Sequence, residues 1–84
     1  MPKFNIEVKV MPRASLLDPQ GLAVEHALSA LEFSAVEQVR VGKAIRFQLE
    51  RPDGDAAKAA ADRMCAQLLA NPVTEDYTIA IEGE

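Results

Sequence analysis

The stretch Val39-Arg40-Val41-Gly42-Lys43-Ala44-Ile45-Arg46-Phe47 sets one glycine and one lysine between two runs of alternating apolar residues. A Gly-Lys pair behind a strand can belong to a phosphate cradle, and a lone glycine can equally bend a sheet. A cradle needs several glycines and a helix directly behind them, so that backbone N–H groups converge on the anion. Here one glycine leads into a second alternating run that ends at Leu49. The stretch reads as a bend between extended segments.

Parity narrows the geometry of that bend. Val39, Val41, Ile45, Phe47 and Leu49 all fall on odd numbers. A two-residue hairpin at Gly42-Lys43 would pair Val41 with Ala44 and turn Ile45 and Phe47 to the polar side. A three-residue loop, Gly42-Lys43-Ala44, pairs Val41 with Ile45 and Val39 with Phe47 and keeps every apolar group on one face. One long strand over residues 36–50, kinked at Gly42, preserves the same parity and would reach into a neighbouring subunit. Both arrangements fit the sequence.

Working outward, residues 3–10 alternate strictly, with Phe4, Ile6, Val8 and Val10 opposite Lys3, Asn5, Glu7 and Lys9. That pattern predicts a half-buried strand, which Pro12 ends. Asp18-Pro19 then marks a helix start, with Asp18 as N-cap and Pro19 at the first helical position. Val24, Ala27, Leu28 and Leu31 form the stripe expected to face a core. Leu22, His26, Ser29 and Phe33 lie opposite and suggest a contact surface.

Beyond the central stretch, Arg51-Pro52-Asp53-Gly54-Asp55 is a turn that offers Asp53 or Asp55 as the next N-cap. The alanine-rich helix behind it should bury Ala57, Ala61, Met64, Cys65 and Leu68, and Asn71-Pro72 should stop it. Val73, Tyr77, Ile79 and Ile81 alternate with polar positions in a last strand. The order is β-α-β-β-α-β, or β-α-β-α-β if the middle strand is continuous. The expected fold is an α+β two-layer sandwich, ferredoxin-like in outline, with an antiparallel sheet and both helices on one face. The other face should carry Glu7, Lys9, Arg40, Arg46, Glu50 and Asp76, all solvated.

Residues 1–84 form one domain at most. A chain of this length buries about 60–65% of its unfolded surface, so its stability alone is marginal. A net charge of −4 argues against a phosphate-backbone binder. Three Phe, one Tyr and no Trp leave little for base stacking, so no nucleic-acid partner is expected. No apolar run reaches membrane-span length, and a lone Cys65 suits a reducing cytoplasm.

Catalytic groups are scarce. Cys65 sits at a core position and reads as an apolar filler. His26, the one histidine, has no Cys or acidic partner three or four residues away, so no metal site is expected. The carboxylates read as caps, turns and solvated faces. No catalytic, cofactor-binding or metal-binding residue is assigned.

Three segments in order, Leu17-Asp18-Pro19-Gln20-Gly21, Val39-Arg40-Val41-Gly42-Lys43 and Leu68-Leu69-Ala70-Asn71-Pro72-Val73, resemble PurS. That family is the small subunit of bacterial and archaeal formylglycinamidine ribonucleotide synthetase (phosphoribosylformylglycinamidine synthase). The resemblance spans nearly the whole chain. Two positions depart from it, Glu32-Phe33 where the family often has a glycine at the first helix end, and Ala44 where a larger apolar residue is usual. The resemblance implies a subunit of a ligase complex of purine biosynthesis, without chemistry of its own. A glutaminase subunit would release ammonia, and a large synthetase subunit would use ATP and magnesium to install it. This chain, as a homodimer or tetramer, would join the two and assist ammonia transfer. Partner contacts are expected from Arg13 to Gly21, at Arg13, Asp18, Pro19, Gln20 and Gly21, and at the bend, at Arg40, Gly42 and Lys43.

Two rival readings share the element order. One is a ligand-sensing regulatory domain of the ACT type, which binds an amino acid at a dimer seam. The other is an acylphosphatase-like enzyme using Arg13, although its glycine-rich cradle and its asparagine have no counterpart here.

Overall fold

The computed structural model describes residues 1–83. Its elements are β1 (Lys3–Pro12), α1 (Pro19–Ala30), β2 (Lys43–Glu50), α2 (Gly54–Met64) continuing into a π-helical turn (Cys65–Leu69), and β3 (Glu75–Gly83). The strands form one antiparallel sheet in the order β2-β1-β3.

Register follows from alternation. Ile6 lies between Phe47 and Ile81, and Val8 between Ile45 and Ile79, so three strands place their apolar groups on one face. A slip of one residue would turn every one of them to water. On the other face Glu7 opposes Arg46 and Ala80, and Asn5 opposes Gln48 and Glu82. Arg46 bridges Glu7, and Gln48 donates to Asn5 at 3.0 Å. The Arg46 guanidinium holds the Glu7 carboxyl below its ordinary range. Arg40 was expected on this face and lies elsewhere.

The α+β class, the antiparallel sheet and the one-sided apolar pattern stand as read from sequence. The middle segment does not. In the single chain neither a hairpin nor one long strand forms over residues 36–50; the strand begins at Lys43. The cause is a prior claim on the backbone donors. The N–H groups of Val39 and Val41 go to the carboxylates of Glu25 and Asp18, at 3.2 and 2.9 Å, instead of to a strand. The order is therefore β-α-β-α-β, with three strands among the described residues.

Asp53 caps α2, its carboxylate accepting from the Ala56 N–H at 2.8 Å. Asp55 in the first turn and Arg63 in the last both complement the helix dipole. The alanines let α2 lie close over β1 and β3. Ala57, Ala61 and Cys65 are buried there against Ile6, Val8 and Val10. Tyr77 on β3 donates to Asp62 at 2.6 Å and fastens the outer side of the helix.

The expected stripe fails at its end, where Leu68 is 82% exposed and Met64 only half-buried. The Ala70 N–H reaches the Cys65 carbonyl at 3.0 Å, a five-residue step that inserts one residue into the turn. That slip rotates Leu68 outward and turns Leu69 and Ala70 to the core.

α1 differs more. Of the stripe predicted to meet a core, only Leu28 is half-buried; Val24 is 39% and Leu31 66% exposed. The inward residues are Gly21, Glu25 and Leu28, and the first two meet Val39. The helix ends in a Schellman motif, with Phe33 N–H on the Leu28 carbonyl at 2.9 Å and Glu32 N–H on the Ser29 carbonyl at 3.0 Å. Glu32 holds the left-handed position at φ 75°, where a glycine would be free of strain.

The result is an extended body of 51 × 27 × 14 Å with a Cα radius of gyration of 16.4 Å. A compact domain of 84 residues would measure about 12 Å.

Candidate functional site

One end of the sheet gathers the end of β1 and the starts of β2 and β3, because Lys43 pairs with Val10 and Glu75 with Pro12. The chain leaves β1 through Arg13 to Leu17, enters α1 at Asp18, and returns along residues 39–42 into β2. All the residues assigned to partner contact from sequence lie along this path.

Asp18 organises it. As N-cap its Oδ1 accepts from the Gly21 N–H at 3.1 Å, while Oδ2 accepts from the Val41 N–H at 2.9 Å. One carboxylate thus caps a helix and ties it to a segment 23 residues away. The Val41 and Gly21 bonds, helped by the nearby Arg40 charge, hold its pKa below the ordinary value. Pro19 fills the first helical position, where a missing N–H costs nothing.

Two glycines make close approach possible. A side chain on Gly21 would overlap the Val39 carbonyl oxygen, and one on Gly42 would overlap the Val10 carbonyl oxygen and the Met11 sulfur. Neither has a positive φ. Space, not backbone freedom, requires glycine at both. At Gly42 that space lets the chain pass close against the end of β1 as it enters β2.

Arg40 donates to the Leu16 and Ala14 carbonyls at 2.7 and 2.6 Å, which fixes the loop before α1. Arg13 faces another way. Its guanidinium donates to the Pro72 carbonyl at 2.6 Å and pairs with Asp76 at 3.5 Å, while its N–H donates to the Thr74 carbonyl at 2.9 Å. It latches β1 to the turn before β3 and is engaged there, away from any anion cradle. Asn71 builds that turn, accepting from the Val73 N–H at 3.0 Å through its side chain. Gln20 and Lys43 are exposed and line, with Val41, Gly42 and Glu75, an open hollow of about 310 Å³.

The structure therefore brings Asp18, Pro19, Gln20, Gly21, Arg40, Gly42 and Lys43 together and sets Arg13 at the same sheet end on a different turn. Sequence reasoning missed Glu25 and the Asn71 turn. Glu25 had a readable signal, since it lies seven residues beyond Asp18 and so on the same helix face.

Other chemistry finds little support. Cys65 is fully buried, and desolvation pushes its thiol up from the ordinary value. Among the described residues no group of three His, Cys, Asp or Glu could hold a metal ion. No helix among them is long and apolar enough to cross a membrane. A hollow of about 610 Å³ opens on the polar sheet face between Asn5, Glu7, Arg46, Gln48 and Glu82. Two of its polar pairs are the already bonded Glu7–Arg46 and Asn5–Gln48.

Residues 5–83 match the family model PurS, phosphoribosylformylglycinamidine (FGAM) synthase. The subunit PurS of phosphoribosylformylglycinamidine synthase from Synechocystis is 45% identical, covering 95% of this chain and 83% of that one. The structure of Bacillus subtilis PurS superposes with a TM-score of 0.85 at 40% identity, over 94% of this chain and 98% of that one. A chain of PurLQS from Thermotoga maritima gives a TM-score of 0.89 at 30% identity, over 98% of this chain and the whole of that one.

Proposed function

The chain belongs to the PurS family, and from that premise we propose that it is the small, non-catalytic subunit of a phosphoribosylformylglycinamidine synthase in purine biosynthesis. The observation that carries this is the match over residues 5–83, together with a fold shared along the full length of the PurLQS chain. Its partners are the large synthetase subunit, which uses ATP and magnesium, and the glutaminase subunit. This chain supplies position and no reacting group. By holding two active sites in register it lets ammonia pass between them without release to water, a proximity effect. A cytoplasmic setting follows from that pathway.

It works as a pair of copies or as pairs of pairs. The surface of the single chain is 5981 Å², against about 4,900 Å² for a compact chain of 9.1 kDa. The excess, roughly 1,100 Å², resembles what one partner gives to a stable interface, roughly 800 Å². Two unmatched surfaces account for much of it. α2 lies over β1 and β3, so Ile45, Phe47 and Leu49 of β2 stay half-buried. α1, meanwhile, presents Val24 and Leu31 to water. A second copy that lays its α1 and residues 39–41 along β2 would cover both and supply the fourth strand that a ferredoxin-like sheet has at this edge.

The purified chain alone should hydrolyse neither glutamine nor ATP. Added to the two larger subunits, it should raise glutamine-dependent synthesis far more than synthesis from free ammonia. Equal stimulation of both reactions would remove ammonia transfer from its role.

A further inference from the structure

Residues 39–41 run between a bend at Gln38, in the left-handed region at φ 58°, and Gly42, which is pressed against β1. Val39 and Val41, two apart, both send their N–H groups to α1, at 3.2 Å to Glu25 and 2.9 Å to Asp18. The Val39 carbonyl faces the same way, toward Gly21. In an extended run successive residues present their peptide groups to opposite sides. The N–H and C=O of Arg40 therefore face away from α1. One edge of the segment is closed by carboxylates and the other is open.

We propose that Asp18 and Glu25 stand in for a neighbouring strand along one edge of residues 39–41, so that pairing between two copies through the open edge closes and admits no third copy there. The inference rests on the pairing argued above and goes beyond it, because it says why the assembly stops. Exposed strand edges invite open-ended addition, and proteins block them with charges and covers. Here two acidic side chains at helical spacing occupy both donors of the inner edge. A β-sheet arriving from that side would have to displace charge-assisted hydrogen bonds. The open edge is left for a second copy.

Two variants test this in the full chain. Glu25→Ala removes the bond to Val39 and leaves the helix cap intact. Asp18→Ser keeps a capping oxygen for Gly21 but is too short to reach Val41. Light scattering over about a hundredfold range of concentration should give the wild type one constant size, whereas the double variant should grow with concentration. In dilute solution the amides of Val39 and Val41 should exchange about tenfold faster in the variants. Variants that keep the wild-type size throughout, with unchanged exchange, would overturn the proposal and leave pairing itself intact. A wild-type chain that stays single at every concentration would instead overturn the pairing, and the edge closure with it.

Discussion

The two helices make opposite bargains with the sheet. α2 is built of alanines and lies flat on β1 and β3, burying Ala57, Ala60, Ala61 and Cys65. α1 carries larger aliphatic groups, and Leu22, Val24 and Leu31 remain in water. Small side chains let a helix approach a sheet within its own chain, and large ones need a deeper surface that this chain does not provide. One half of the molecule covers its apolar surface by folding. The other leaves it open.

That contrast can be broken most forcefully at the sheet. Ile6→Ala empties a fully covered site beneath α2 and should cost about 2–5 kcal/mol. In a small domain whose total is about 5 kcal/mol or little more, this lowers the urea midpoint steeply. A midpoint within error of wild type would mean that the core lies elsewhere. At the α1 end the effect should appear in association and not in folding. Leu31→Lys should change the stability of the dilute chain by at most about 0.5 kcal/mol. It should also raise the concentration at which copies pair by about tenfold or more, since a buried leucine contributes roughly 1.5–3 kcal/mol. Sedimentation across a dilution series would measure it, and unchanged pairing would free α1 from any interface. Smallest is a gain. Glu32→Gly relieves the left-handed end of α1 and should add about 1 kcal/mol, visible as a rise in melting temperature. A loss there would mean that the Glu32 side chain has a role the Schellman geometry does not reveal.

Much of this was legible before any coordinates. Alternation in residues 3–10, 45–49 and 77–81 marked strand segments and their shared apolar face, because a period of two leaves no choice of side; the number of strands stayed open, and Val73, placed in the last one, lies exposed ahead of β3. Asp18 and Pro19 announced the first helix start by residue type alone, and the second was narrowed to Asp53 or Asp55, of which Asp53 is the cap. The departure at Glu32 was legible too, since a missing glycine pointed to the position that holds φ 75°. What failed has specific causes. Leu68 was misplaced because a π-helical turn leaves no mark in the hydrophobic pattern until its hydrogen bond is seen. The α1 stripe was read as core because a sequence shows which face is apolar and not which chain covers it. Residues 36–42 were expected in the sheet because their parity was right, but their donors had been claimed by carboxylates lying well upstream in the chain. Of the candidate site, the grouping of Asp18, Gly21, Arg40 and Gly42 was readable as two motifs, and only the fold shows that they touch. Arg13 belongs to another contact, set by the Asn71 turn.

The place of β1 has a consequence for how the molecule is made. It is the central strand, and its final neighbour is β3, with Phe4 opposite Gly83. β1 thus waits for β3, which follows it by more than sixty residues, before it has neighbours on both sides. Local structure such as α2 can form early, but closing so long a loop comes late and slowly. Until then, the apolar face of β1, with Ile6, Val8 and Val10, stays open to whatever else will bind it.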